Sequence, residues 1–382
     1  MDFNLTDEQE LLLESLDEWL DRTVTEQKIQ EWYAAHGIPD EVSKSFLDAG
    51  FGMMGLPEEV GGVPFDMMTK VTFIEEMGRK TCAALPLTNN VLGAYLAVHF
   101  GNEDQQKMVF DEYLSNGKSC VSLATSEPEA GSDSANMSTV VTETSDGLIL
   151  NGQKTWVTDA LEASFMLVVA KDEDPSRDNR NISMWLIPRE TEGVSINPLH
   201  KIGSQVQSLC EVYLDNVHLD ESNLFGVRGS GFKQLMHTFE TDRLSVSAQC
   251  LGLAQGALED AAKYAGQRVT FGKPIYKHQM IQEKLADMEI KCRNMRNMLY
   301  RTAWERDNGK SIALSGPLTK RYCAMTSLEV CNEAMQIFGG IGYTTESRTG
   351  RAYLDCRAAS YGAGTNEIMA YIAGKQIVGL YS

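Results

Sequence analysis

The side chains best suited to moving a proton lie in a short segment that reads Phe239–Leu244. It places the carboxylates of Glu240 and Asp242 beside the guanidinium of Arg243. A carboxylate held next to a reacting carbon can act as a general acid or base. Acidic residues on helices are usually solvated or paired with neighbouring cations, however. Spacing alone therefore favours an ordinary structural role for both acids.

Two glycine-containing segments could bring backbone N–H groups close to a ligand. Gly339-Gly340 follows an apolar stretch, and such a pair either ends a helix or lets the backbone approach an anion. The residues alone favour the helix end. In the second segment, Tyr361–Ile368, Thr365 followed by Glu367 is typical of a helix start.

Hydrophobic periodicity predicts a helical region that begins with a capping box formed by Thr6 and Gln9. From about Val121 the pattern changes to alternating and compact apolar runs that indicate strands. Within this β region, Asn151-Gly152 predicts a turn.

The long stretch Gly231–Gln267 lacks proline and has a 3.6-residue period, which predicts a helix that opens a C-terminal bundle. The order helical, β, helical gives an α+β fold. We expect domain limits at residues 1–118, 119–222 and 223–382.

Composition bounds the class of protein without identifying it. The chain has 382 residues, 43% of them hydrophobic, enough for two or three domains. A formal charge of −19 argues against general binding to nucleic acid or anionic membrane. The acidic start Met1–Asn4 and the absence of a long apolar run predict a cytoplasmic protein. Eight scattered cysteines, without a C-x-x-C pair, predict reduced thiols and no metal site.

Several motifs in a fixed order make nearly the whole chain resemble the acyl-CoA dehydrogenase family. They are Leu5–Gln9, Ser126–Asp133, Asn151–Thr158, Tyr264–Gln279, Gln336–Tyr343 and Tyr361–Ile368. The resemblance implies a central β domain between two helical domains, with FAD where they meet. This order agrees with the periodicity.

The resemblance also implies which residues contact FAD and substrate. Ser126 corresponds to the hydroxyl that hydrogen-bonds the flavin ring, and Trp156 and Thr158 to the pair that covers one ring face. Ser132, in the same motif as Ser126, is expected at the substrate.

Other implied contacts lie in the C-terminal region. Arg268 and Phe271 correspond to residues that reach the FAD of a neighbouring subunit, and Gln279 lies on the same segment. The resemblance therefore implies a homotetramer. Five more FAD contacts are implied, at the pyrophosphate turn and on the closing helix: Gln336, Gly339, Gly340, Thr365 and Glu367.

The family's usual catalytic glutamate is missing, because Ala363 stands directly before the Gly-Thr pair where most members have glutamate. The backbone N–H of Ala363 is retained and is expected to donate to the thioester carbonyl. A minority of the family carries its carboxylate just before an arginine, on the helix after the β domain. Asp242, followed by Arg243, matches that position and is the candidate acid/base. Arg243 is expected in the same substrate site.

Within the family, strings such as Ile281–Lys284 and Asn297–Tyr300 resemble the crotonobetainyl-CoA reductases of bacterial carnitine metabolism. These also lack the loop glutamate. The resemblance implies an FAD-dependent enoyl-CoA reductase that receives electrons from an electron-transferring flavoprotein. Gln205 departs from the family pattern, which has arginine there. Two alternatives stay open: sulfinate elimination from an acyl-CoA, and a non-catalytic subunit that binds flavin or acyl-CoA.

Overall fold

The structure, a computed structural model, describes residues 4–145, 147–173 and 181–381. Residues 1–3, which belong to the N-terminal segment used for the localisation prediction, lie outside the described part. Among the residues that are described, no helix is long and apolar enough to cross a membrane.

The N-terminal region is built from helices. Its first helix has the predicted capping box: Thr6 Oγ1 accepts from Gln9 N at 3.2 Å, and Gln9 Oε1 accepts from Thr6 N at 3.1 Å. The helices are α1 Asp7–Thr23, α2 Glu26–Ala35, α3 Asp40–Asp48, α4 Met67–Thr81, α5 Leu92–Phe100 and α6 Glu103–Asn116.

A mixed sheet follows. Its strands are β1 Val121–Ala124, β2 Val140–Thr144, β3 Gly147–Thr158, β4 Phe165–Asp172, β5 Ile182–Pro188, β6 Val194–Pro198, β7 Leu209–Leu219 and β8 Leu224–Phe225. Their order is β6-β7-β3-β2-β4-β5-β8, with β1 pairing in parallel with β4. A core rich in valine, leucine and alanine packs within this β region.

The predicted turn at Asn151-Gly152 is wrong. Both residues lie inside β3, which pairs with β7 on either side of a bulge between Leu150 and Gly152. Gly152 has a φ of +154°, and a Cβ there would lie 2.4 Å from Thr139 Oγ1. The glycine is therefore needed for a strand bulge and a close backbone approach, which a local turn signal does not distinguish from a hairpin.

The C-terminal region is a helical bundle, and its first helix coincides with the predicted helix at 231–267. The class of element changes between Asn116 and Val121 and again between Phe225 and Gly231. The helices are α7 Gly231–Gln267, α8 Gln279–Asp307, α9 Ser315–Phe338, α10 Arg348–Ala358 and α11 Asn366–Tyr381; a small hairpin of β9 Val269–Thr270 and β10 Lys273–Pro274 separates α7 from α8.

The buried carboxylate of Asp355 joins all three regions. It accepts hydrogen bonds from the Tyr33 hydroxyl, from Ala84 N at 2.8 Å and from Ser204 N at 2.6 Å. Tyr33 and Ala84 belong to the N-terminal region and Ser204 to the segment before β7. One α10 side chain thus fixes how the helical and β parts meet.

Helices α4 and α7 pack closely because both carry glycine at the contact. A Cβ on Gly252 would lie 2.2 Å from the Glu75 carbonyl oxygen and 2.9 Å from Gly78 Cα. We expect Gly252→Ala to lower the free energy of unfolding by about 1–3 kcal/mol, because a methyl group forces the helices apart. Gly266→Ala is the matched control: the same helix has open space there, so this change should be neutral or stabilise by up to about 1 kcal/mol. Denaturant midpoints measure both, and equal midpoints would contradict the packing argument.

Candidate active site

The sheet presents an indole and a hydroxyl outward from the end of β3. A second register shift against β7, between Lys154 and Val157, is accompanied by a φ of +59° at Trp156. The Trp156 side chain is 61% exposed, although the neighbouring Thr155 and Val157 are buried. Thr158, two residues on, is exposed as well. The bulge therefore leaves the side chains of Trp156 and Thr158 exposed and available for contact with a bound ligand.

A buried ion pair holds the Ser126 loop against this strand. Lys154 Nζ lies 2.9 Å from Glu127 Oε1, with both side chains almost fully buried, and donates to the Thr125 carbonyl at 3.0 Å. Burial alone would raise the pKa of Glu127, but hydrogen bonds from Ser138 and Thr139 and the Lys154 charge lower it to about 2. The carboxylate is thus ionised.

The half-buried Ser126 is tied directly to β3, because its carbonyl accepts from Thr155 N at 2.9 Å. Thr155 directly precedes Trp156, so this bond holds Ser126 against the strand residue next to the exposed indole. Ser132, later in the same loop, is exposed.

The loop with the missing glutamate has unusual backbone conformations. Ala363 has a φ of +53° and Gly364 a φ of +93°. Within the described part of the chain, no group accepts a hydrogen bond from the Ala363 N–H. Left-handed conformations turn successive N–H groups towards one side and create a site for an anionic or carbonyl oxygen. A free donor of this kind suits the predicted thioester contact.

The loop ends at a conventional helix start. Thr365 Oγ1 accepts from Ile368 N at 3.2 Å, which caps α11, and the exposed Glu367 lies in the first turn. The capping role that the residues alone predicted is therefore present. The FAD contact of these two residues stays a prediction.

Asp242 lies half-buried on α7 and faces three cations. Burial raises the pKa of Asp242, and the charges of Lys70, Arg243 and Lys320 act in the opposite direction. Glu240, by contrast, is 4.0 Å from the Arg306 guanidinium and partly exposed, as expected of an ordinary helix acid. Packing thus gives the two acids different surroundings, which their spacing alone did not predict.

Lys320 connects Asp242 to the Ala363 loop. Its fully buried ammonium donates to the Gly364 carbonyl at 2.6 Å and faces the charges of Asp242 and Arg243. Burial lowers the pKa of Lys320 to about 8. Arg243 is also buried, and its Nε has no hydrogen-bond partner among the described residues. Lys320 thus binds the loop of Ala363, and the charges of Asp242 and Arg243 act on its ammonium group.

The predicted cross-subunit residues lie at the far end of α7. Arg268 caps the helix, and the β9–β10 hairpin presents Phe271 with 95% of its surface exposed and a φ of +50°. Gln279 begins α8 and is exposed too. A side chain as apolar as Phe271 gains by burial against a partner.

The predicted pyrophosphate turn is close to this hairpin. Tyr264 stacks on Phe338 with ring centroids 4.4 Å apart, which places the end of α9 beside the end of α7. Gly339 follows with a φ of +66° and caps α9, so the helix-end interpretation is correct as geometry. A Cβ on Gly339 or Gly340 would meet no atom within 4 Å, and the exposed Gln336 lies one turn earlier.

Comparisons with known proteins agree with this arrangement. Family models match in three consecutive parts: the acyl-CoA dehydrogenase N-terminal domain at residues 6–116, the middle domain at 122–217 and the C-terminal domain at 229–378. The chain belongs to the acyl-CoA dehydrogenase family.

Individual relatives align with nearly the whole chain of this family member. It is 43% identical to the probable acyl-CoA dehydrogenase YdiO of Escherichia coli, over 99% of this chain and 98% of the relative. Butyryl-CoA dehydrogenase from Megasphaera elsdenii is similar in structure, with a TM-score of 0.89, 30% identity and coverage of 99% and 100% of the two chains. PigA, solved with FAD and proline, has a TM-score of 0.90, 25% identity and coverage of 100% of both chains.

The residues of this acyl-CoA dehydrogenase family protein fit a bound FAD. Its outward indole and hydroxyl on β3 suit a flat polar ring, and the buried Thr125 Oγ1 beside Ser126 has no partner among the described residues. Open space at Gly339 and Gly340 leaves room for a phosphate against the backbone.

In this family member, Asp242 and the Arg268 hairpin lie far apart within one chain. Asp242 and Arg268 are 26 residues apart on a continuous helix, which is about 39 Å at 1.5 Å per residue.

Three residues of the family member's site were missed in the sequence analysis. Lys70 and Lys320 gave no signal, because a single lysine is common on any surface. Glu127 lies in the motif Ser126–Asp133, but nothing in that motif indicates its pairing with Lys154. The departure at Gln205 has a local role: its Nε2 donates to the Lys201 carbonyl at 2.5 Å.

Proposed function

We propose that this protein is an FAD-dependent enoyl-CoA reductase in which Asp242 gives a proton to the α-carbon of the acyl thioester. The observation that carries the proposal is the junction at Lys320, which contacts Gly364 and faces Asp242. The charge of Asp242 acts on the same lysine that binds this loop, which supports Asp242 as the substitute for the missing loop carboxylate.

The residues around the proposed thioester would have separate tasks. The Ala363 N–H, which has no acceptor among the described residues, would donate to the thioester carbonyl and so polarise it. Asp242 in its protonated form would donate to the α-carbon, and burial favours that form by raising its pKa. Reduced FAD, when bound, supplies the hydride that adds to the β-carbon. Trp156 and Thr158 would hold the ring in position.

The finer parts of the proposal rest on the sequence resemblance. It favours the crotonobetainyl group as acyl chain, an electron-transferring flavoprotein as electron donor and the cytoplasm as location. A homotetramer is supported by the exposed Phe271 and by its distance from Asp242. Domain limits at residues 1–118, 119–222 and 223–382 belong to the same proposal.

The test is anaerobic stopped-flow absorbance of the dithionite-reduced holoprotein mixed with crotonyl-CoA and with crotonobetainyl-CoA. We expect reoxidation of the flavin by an enoyl-CoA, because a hydride acceptor and a proton donor then meet at one site. A faster reaction with crotonobetainyl-CoA would support the finer assignment.

Two other results would redirect the function. Release of sulfite from a sulfinate-bearing acyl-CoA, without flavin reoxidation by either enoyl-CoA, would indicate elimination chemistry. Binding of both thioesters with neither reaction would indicate a non-catalytic subunit.

A further inference from the structure

Two thiol groups meet in the core of the C-terminal bundle. Cys331 lies on α9 and Cys356 on α10, and their Sγ atoms are 3.8 Å apart. Both side chains are buried. All eight cysteines belong to the described part of the chain, and no other two of their sulfurs come within hydrogen-bond distance of each other there. The contact is therefore particular to this pair.

The two sulfurs are close enough to be joined by a disulfide bond. The sulfurs of a disulfide are about 2.0 Å apart, so those of Cys331 and Cys356, now at 3.8 Å, must approach by about 1.8 Å. Helix α10 packs directly against α9. Rotation of the two side chains about their Cα–Cβ bonds moves the sulfurs over distances of this size.

A bond between the two cysteines would close the segment that holds the predicted pyrophosphate turn. Cys331 and Cys356 are 25 positions apart, and the turn at Gln336–Gly340 lies between them. Asp355, next to Cys356, already binds backbone N–H groups of the N-terminal region and of the segment before β7. The bond would thus join the end of α9 to the helix that fixes how the three regions meet.

The hydrogen bond between the thiols makes the two sulfurs unequal. It lowers the pKa of Cys331, although burial leaves that pKa raised overall. The same bond raises the pKa of Cys356, and burial raises it further. Cys331 is therefore the sulfur that ionises first, and the thiolate is the form that attacks an oxidant. Burial makes the attack slow, because an oxidant reaches the pair only when the bundle opens locally.

We propose that Cys331 and Cys356 form a site of reversible oxidation, at which a peroxide converts the two thiols to a disulfide that holds the predicted pyrophosphate turn in place. The Cys331 sulfur attacks one oxygen of hydrogen peroxide, the O–O bond breaks, and a sulfenic acid and one water are formed. The Cys356 sulfur then attacks the sulfenic sulfur. The S–S bond forms, the S–O bond breaks, and the hydroxyl leaves as a second water with the Cys356 proton. The two thiols lose two electrons in total, and the peroxide accepts both.

The disulfide should stabilise the bundle and slow the loss of FAD. A cross-link removes conformations from the unfolded and the locally opened chain, while the folded chain has few to lose. Opening of the segment between α9 and α10 would release a flavin bound at the predicted turn, and the disulfide restrains that opening. This inference goes beyond the proposed function, because it does not require Asp242 to be the acid.

The experiment treats the FAD-loaded protein with hydrogen peroxide and counts its thiols after denaturation. We expect two fewer thiols than the eight of the reduced chain, an intact mass lower by two hydrogens, and a non-reduced peptide map that joins Cys331 to Cys356. Dithiothreitol should restore all the thiols. The cross-linked protein should have a higher denaturant midpoint and release FAD about tenfold more slowly, because the closed segment opens less often.

Cys331→Ala and Cys356→Ala should each form no internal disulfide, and peroxide should change neither their midpoint nor their flavin release. Cys323→Ala is the matched control. Cys323 is equally buried on the same helix, but its sulfur donates to the Met295 carbonyl at 4.0 Å. This variant should cross-link as the wild type does.

The peptide map of the wild type decides the proposal even where an alanine variant does not fold. Only sulfinic acids, only disulfides between chains, or no loss of thiols would overturn the oxidation site. A Cys331–Cys356 disulfide with unchanged flavin release would overturn its role at the turn. Neither result depends on flavin reoxidation by an enoyl-CoA, so this inference and the proposed function can fail separately.

Discussion

Asp242→Asn is expected to slow flavin reoxidation by an enoyl-CoA by about 10²–10⁴-fold, the usual contribution of a general acid. The amide has nearly the same shape but no acidic proton, so FAD content and thioester binding should remain. Stopped-flow absorbance of the reduced variant measures the rate. Glu240→Gln, two residues earlier on the same helix, is the matched control and should keep the rate, because Glu240 lies by Arg306 and is partly exposed.

A second substitution tests whether a carboxyl group at the usual loop position can replace the one at Asp242. Ala363→Glu in the Asp242→Asn background puts a carboxylate on the loop, where the backbone already holds a Cβ at a φ of +53°. We expect part of the lost rate to return, because the new carboxyl group reaches the same carbon from the opposite side. A single Asp242→Asn variant with wild-type rate would refute the assignment, whatever the double variant does.

Lys154→Met is expected to lower the free energy of unfolding by about 3–5 kcal/mol, because it leaves the buried Glu127 carboxylate without its cation. The Thr125 carbonyl also loses its donor, so the Ser126 loop should loosen and FAD should be released more readily. Denaturant midpoints and flavin release on titration with denaturant measure the two effects. Lys44→Met is the control: its exposed pair with Asp48 is 2.6 Å long and should contribute about 0–1 kcal/mol.

The double variant Lys154→Met/Glu127→Gln separates lost charge balance from lost packing. We expect it to be more stable than Lys154→Met alone, because the uncompensated charge is gone. If the double variant were no more stable, packing rather than charge would explain the loss.

The ion pair of Lys154 with Glu127 should also continue to stabilise the wild-type protein in mildly acidic solution. The pKa of Glu127 is lowered to about 2 in the folded protein, so its contribution is complete above the unfolded value of about 4.3 and is lost as pH falls towards 2.

Local signals determined much of the fold. The Thr6 capping box and the helix from Gly231 to Gln267 follow from neighbouring residues and an uninterrupted 3.6-residue period, which act within one element. The change to strands after Asn116 follows in the same way from alternation. The family motifs are also local, because each one is a short run of neighbouring residues.

Local sequence patterns did not predict the contacts between distant elements. Asn151-Gly152 has the composition of a turn, but pairing with β7 makes it a bulge. Spacing alone does not separate Glu240 from Asp242, and only the packing of α4 and α9 against α7 adds the charges of Lys70 and Lys320 to the surroundings of Asp242. Lys70 and Lys320 are 250 residues apart, so no pattern in the sequence could join them. The sequence by itself determined the order of elements, the family and the candidate acid Asp242; tertiary structure decided which groups surround that carboxyl group, because burial and charge depend on neighbours that folding alone brings together.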